Sequence, residues 1–287
     1  MGASCRGGEG GTGRGGDQAP TLPLTHSPCL SLARRLLPGA LLLIVATSAA
    51  AQQLSDLEKE RPLELEDARP VSYRAFSGSA DWSYNLRKGA RDDYGPGFSL
   101  LYGLARRLEV GASIRYVTSP GSNARRGISS GDLELHALYG IGTESAALPA
   151  LALRMGVEFP TGLDSKGTDL HLAALATRSF DTFRLHANVL WAHLGDTSPD
   201  EHRDRFEGIA GADWVVGRRG RTDTLLVADA DVRSNPVRGG NLILSVEAGI
   251  RRRIGSQTLL FLGAGSSLTG ERNRAGLSLR AGISHIY

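Results

Sequence analysis

Residues Ala275–Tyr287 read AGLSLRAGISHIY. Leu277, Leu279, Ala281, Ile283, His285 and Tyr287 fall on one side of an extended chain. Gly276, Ser278, Arg280, Gly282 and Ser284 fall on the other. Strict period-two alternation marks a β-strand whose two faces meet different surroundings. The apolar face ends on an aromatic ring, Tyr287. By itself this stretch suits the last strand of a soluble sandwich as well as that of a barrel, so the choice rests on the rest of the chain.

The same alternation recurs upstream. It runs through Val71–Leu86, Gly97–Leu104, Leu108–Val117, Asp132–Ile141, Ala150–Phe159 and Asp169–Arg178. It continues through Phe183–Leu194, Asp204–Val216, Thr222–Val232, Asn241–Arg251 and Gln257–Ser267, the last being the weakest in pattern. With the terminal stretch this makes twelve segments. Short links such as Ala105–Arg107 alternate with longer ones such as Thr118–Gly131 and Gly195–Arg203, rich in turn-forming or charged residues. An even number of strands about ten residues long, joined in this way, predicts an all-β fold: a closed up-and-down antiparallel transmembrane β-barrel of about 12 strands. Closure follows from the solvent. An open sheet edge in hydrocarbon leaves backbone groups unpaired at several kcal/mol each, so the first strand must pair with the last.

The alternative is a soluble barrel with its apolar face inward. Two patterns favour lipid outside. Trp82, Tyr84, Tyr116, Phe159, Trp191 and Phe206 fall toward the loop ends of the apolar faces; Tyr139, Phe183, Trp214 and Tyr287 fall toward the turn ends. Amphipathic rings in two such bands suit the two interfaces of a bilayer. Small residues also mix with the charges on the polar face, as a crowded lumen requires. The lumen-facing candidates are Asp132, Glu134, His136, Arg154, Glu158, Arg184, His186, Asp229, Asp231, Glu247, Arg251 and Arg280. An isolated ion in a dry interior is costly, so these groups need one another or water. A charge network plugging the barrel and a narrow wet channel both meet that need.

The amino terminus reads as an export signal. Arg34 and Arg35 precede the apolar stretch Leu36–Ala46, and Ala49-Ala50-Ala51 follows it. That order predicts a secretory signal peptide cleaved near Ala51. The chain then divides into 1–51, an extension and signal peptide; 52–70, a polar periplasmic segment; and 71–287, the barrel. Gln52–Pro70 leads into the barrel, with a place in its lumen open to it. Both cysteines, Cys5 and Cys29, precede the cut, so disulfide and thiolate chemistry are not expected. The cut also removes four Arg and two acids, leaving a chain near neutrality without a nucleic-acid footprint. No run of eighteen apolar residues occurs, so no spanning helix is expected.

Candidate chemistry is thin. A barrel phospholipase carries His-x-Ser-Asn, and that motif is missing; Ser284-His285 has the wrong order and puts the two side chains on opposite faces. His136, His171 and His186 all point inward but lack tight metal-ligand spacing. Asp229 and Asp231 share a face and suit a cation or an acid pair, yet lumen arginines are the simpler partners. No catalytic, cofactor or metal residues are therefore assigned, and no enzyme is expected.

The terminal strand ending on Tyr287 resembles the assembly signal of bacterial outer-membrane barrels. RPLELEDARPV (Arg61–Val71), GDLELHALYGI (Gly131–Ile141) and LALRMGVEFPTG (Leu151–Gly162) resemble the outer-membrane transporter family linked to the meta-pathway of phenol degradation. The resemblance implies an outer-membrane barrel for uptake of small, often hydrophobic or aromatic molecules. The expected function is a passive channel or transporter, with a closed structural or surface barrel as the alternative and a membrane hydrolase as a third, weaker reading. Expected partners are outer-membrane lipids, the barrel-assembly machinery and a small-molecule solute.

Overall fold

A computed structural model describes residue 63 and residues 65–87, 92–117, 129–162, 165–216, 224–254, 256–269 and 275–287. The expected signal peptide, most of the 118–131 loop and the 217–221 turn lie outside the described residues. Twelve strands form: β1 (Phe76–Arg87), β2 (Asp93–Ala105), β3 (Leu108–Val117), β4 (Ser129–Gly142), β5 (Ala150–Phe159) and β6 (Asp169–Ser179), then β7 (Phe183–His193), β8 (Asp204–Val216), β9 (Thr224–Arg233), β10 (Ile243–Arg253), β11 (Thr258–Ser267) and β12 (Ala275–Ile286). Each pairs antiparallel with its sequence neighbours, and β1 pairs with β12 to close the barrel.

The seam is continuous, running from Ser77 opposite Ile286 to Arg87 opposite Ala275 with one irregularity at Leu86/Arg87. At its turn-side end Tyr287 donates its N–H to the Phe76 carbonyl at 2.7 Å, and the two rings lie 6.0 Å apart. Tyr287 therefore sits where closure completes, with its side chain exposed on the outer wall.

The faces fall as the alternation requires. Leu100, Leu135, Leu153, Met155, Leu172, Val189, Leu262 and Leu279 are exposed on the outside, while Glu109, Arg184, Asn188, Asp213, Asp231 and Arg251 are buried inside. This inverts the usual soluble arrangement, in which charged groups are almost never buried and large apolar side chains are covered. Aromatic pairs mark the rims: Trp82 and Tyr84 stack on Tyr94 toward the loops, and Phe180 stacks on Phe183 at a turn.

β1 begins at Phe76, five residues later than the alternation from Val71 suggests. Val71–Ala75 instead carries the chain from the lumen to the turn-side rim: Val71 is buried, and Ser72, Tyr73 and Arg74 are exposed. Arg74 takes a left-handed φ of 67°, its N–H bonds to the Gly103 carbonyl at 2.8 Å, and Gly103 donates back to Ala75 at 3.0 Å. A Cβ at Gly103 would fall on the Ser72 carbonyl oxygen. Gly103 is thus the point where two backbones cross at a distance only glycine permits. Gly103→Ala is expected to displace Ser72–Ala75 at about 1–3 kcal/mol, the usual scale of overpacking. Limited trypsin digestion should then cut faster at Arg69 and Arg74 than in the parent.

Candidate functional site

The lumen has two parts. The turn-side part is filled by the amino-terminal segment. Leu63 and Leu65 pack with Ile209, Val227 and Leu190, and Ala68 packs with Leu138, Ala150, Ala152, Ala173 and Leu175. These inward apolar side chains break the polar face of their strands at the places the segment covers.

Polar contacts hold the same segment. Arg184, on β7, is 1% exposed. Its Nη1 donates to Asp67 Oδ2 at 3.0 Å, its Nε donates to Asp213 Oδ1 at 3.0 Å, and its Nη2 pairs with Asp213 Oδ2. His186 joins Asp213 at 3.1 Å through Nε2 and Thr177 at 3.0 Å through Nδ1; the Ala68 N–H donates to Thr177 Oγ1 at 3.0 Å. Arg69 reaches Glu144 at 2.5 Å and Ser179 at 2.7 Å, and the Val71 N–H donates to Glu109 at 2.6 Å. Arg154 bridges Glu66, at 3.1 Å, and Glu134. Arg184, Arg154 and Glu144 on the wall each meet an opposite charge on the segment, and Glu109 accepts its backbone N–H.

Burial alone would raise the Asp67 carboxyl, but Arg184, His186 and Arg69 outweigh it, and the group is held well below the usual carboxylate range.

The loop-side part is a cavity of about 650 Å³. Leu63 and Arg154 lie at its inner end, and Arg87, Arg233 and Pro236 at the loop end. Arg115, Arg205 and Arg280 also line it, with Glu134, Glu207, Glu247 and His171. Arg115 and Arg280 both approach Asp81 Oδ2 at 3.8 Å, and Arg233 lies 4.0 Å from Glu207 and 3.9 Å from Asp231.

The twelve lumen candidates all lie on the inner face, but they separate into different jobs. Arg184 and His186 belong to the cluster that holds the segment. Glu134, Arg154, Glu247 and Arg280 line the cavity, and His136 lies 3.9 Å from Glu134. Asp132 accepts bonds from the Gly162 N–H at 2.8 Å and the Ser165 hydroxyl at 2.5 Å, so it pins the β5–β6 loop. Asp229, Asp231 and Arg251 are buried in the wall.

Glu158 and His171 meet at 3.2 Å, and Asp169 completes with them a group spaced closely enough to hold a metal ion. The cross-strand register Glu158 opposite Asp169 creates that group, which sequence spacing hides. Asp67, Glu66 and Glu144 were missed as partners. The signal available was the set of apolar residues on inner faces, Leu175, Ile209 and Val227, which require an apolar occupant inside.

No family model matches the chain, and no curated protein matches it in sequence. Among solved structures it is similar to an outer membrane channel from Pseudomonas putida F1, with a TM-score of 0.60 and 14% identity over 78% of this chain and 100% of that one. It is similar also to the NanC porin (0.53, 12% identity, 72% of this chain and 98% of that one) and to the KdgM porin (0.50, 10%, 72% and 98%). At such identities the likeness establishes the fold, a closed antiparallel barrel of the outer-membrane kind. The phenol meta-pathway family read from the three short motifs has no matching family model behind it.

Proposed function

We propose that this protein is an outer-membrane channel for small molecules, working without energy input. The observation that carries the reading is a barrel apolar outside and charged inside that keeps a cavity of about 650 Å³ on its loop side. A purely structural barrel has no need of that volume, and a charged lining is stable in a lumen where its groups pair or water shares it. The solved channel and porins of similar fold support the same reading. Residues 65–71 form the floor of the path, so solutes pass when this segment shifts. The signal peptide, delivery by the barrel-assembly machinery and contact with outer-membrane lipids belong to the proposal.

A sealed barrel acting through its loops is the second reading, favoured by the packed amino-terminal segment. Conductance in planar bilayers separates the two. The parent chain is expected to show small, infrequent openings. Asp67→Ala combined with Glu66→Ala, which removes the segment's ion pairs to Arg184 and Arg154 and leaves that of Arg69 to Glu144, is expected to raise open probability at least several-fold. Silence from both proteins would favour the sealed barrel.

A further inference from the structure

Three acids stand in one row across the loop end of the wall. Glu134 on β4 faces Glu158 on β5, and Glu158 faces Asp169 on β6. Like charges directly opposite one another destabilise a sheet. Arg154 offsets the first of the three, Glu134. Among the described residues neither Glu158 nor Asp169 pairs with an arginine or a lysine: Glu158 meets the His171 ring, and Asp169 accepts the Gly195 N–H on Oδ1 at 2.8 Å.

His171 reaches this row from the level below, where it faces Gly156. Its Nε2 is shielded from solvent and makes no hydrogen bond, although Glu158 Oε2 lies 3.2 Å away. One ligand atom from each of Glu158, Asp169 and His171 lies within 4.8 Å of the other two. Two ligands on one tetrahedral zinc, with bonds of about 2.1 Å, stand about 3.4 Å apart. Charge decides between an ion and a proton. A protonated His171 brings one positive charge to two carboxylates, whereas a divalent cation brings two and uses the neutral ring. The Gly195 N–H holds the Asp169 carboxylate in place, the kind of outer contact that orients a metal ligand.

The geometry points to a divalent transition-metal site in the lumen wall, with Glu158, Asp169 and His171 as its protein ligands. An imidazole among carboxylates suits a first-row transition ion, whereas Ca2+ and Mg2+ take all-oxygen shells. Zn2+ accepts three such ligands with water in the fourth position. The ion ties β5 to β6 at their loop ends. His171 also lines the loop-side cavity, which gives the ion a route in. The site stands independently of whether the barrel conducts.

The test titrates Zn2+ into the untagged full-length chain, folded in detergent, with Cys5 and Cys29 replaced by Ser and metal first stripped by a chelator. Calorimetry is expected to show one tight equivalent. His171→Gln alone, or Glu158→Gln with Asp169→Asn, should weaken it at least about tenfold, since loss of an outer-shell partner alone costs that much. His193→Gln, which breaks the exposed His193–Asp204 pair on the neighbouring strands, should leave it unchanged. Band shift on heating shows that each variant is folded. Zn2+ should also raise the urea midpoint of the parent and leave that of the Glu158→Gln, Asp169→Asn variant where it was. The absence of a tight equivalent overturns the proposal, as does unchanged affinity in the folded His171→Gln protein. Ca2+ binding as tight as Zn2+, or a midpoint raised equally in parent and double variant, overturns it too.

Discussion

Arg184→Met is expected to destabilise the folded barrel by roughly 3–5 kcal/mol, the cost of removing one partner from a buried ion pair. Its guanidinium is the shared partner of Asp67 and Asp213, and all three side chains are almost fully shielded. Without it two carboxylates face each other in a buried site, Asp213 keeping His186 and Asp67 keeping the Arg69 N–H at 3.0 Å. The loss is read from urea unfolding in detergent or lipid. Trypsin should at the same time release the amino-terminal segment, since Asp67 loses its main anchor.

The pH dependence has a defined sign. Asp67 lies outside the strands, and its folded-state value is depressed, so its contribution is present in full above its unfolded value near 4. It fades as pH falls below that, toward the depressed value. Asp67→Asn should therefore cost most at neutral pH, and its difference from the parent should narrow below about pH 4.

The second large effect lies on the outer wall. Val189 is mid-strand on β7 and 63% exposed, so on a soluble protein Val189→Arg would change stability by less than about 0.5 kcal/mol. Facing hydrocarbon near the bilayer midplane, it is expected to cost roughly 2–4 kcal/mol. Urea unfolding of the barrel in lipid vesicles measures the difference. Arg at position 237, exposed on a loop at the rim, serves as the matched control and should be near neutral.

The barrel was legible because lipid and lumen impose opposite demands on neighbouring residues, and β12, β5 and β7 carry that contrast in nearly every pair. β11 was faint for a physical reason. Leu259 and Phe261 point inward and are buried, while Leu260 and Leu262 point outward, so both faces are apolar. Leu259 has an inward apolar neighbour to justify it, Leu225. The start of β1 was misread because Val71–Ala75 keeps an alternating pattern while its backbone bonds to Glu109 and to Gly103 at the turn-side rim.

Which charges pair was hidden for a different reason. Arg184 and Asp213 are register partners on adjacent strands, but Asp67 reaches Arg184 from 117 positions away. Only closure of the barrel around the segment brings them together. The inward residues were therefore readable as a set, whereas their division into segment anchor, loop pin and cavity lining depended on three-dimensional neighbours.

The most direct measurement places single cysteines at consecutive positions 151–158 of β5, in a background with Cys5 and Cys29 replaced by Ser, and labels each with an environment-sensitive dye in lipid vesicles. Dyes at 151, 153, 155 and 157 are expected to be quenched by nitroxide lipids, and those at 152, 154, 156 and 158 to be shielded from them. Uniform quenching along the strand, or water-like emission at 153 and 155, would contradict a barrel whose apolar side chains face the bilayer.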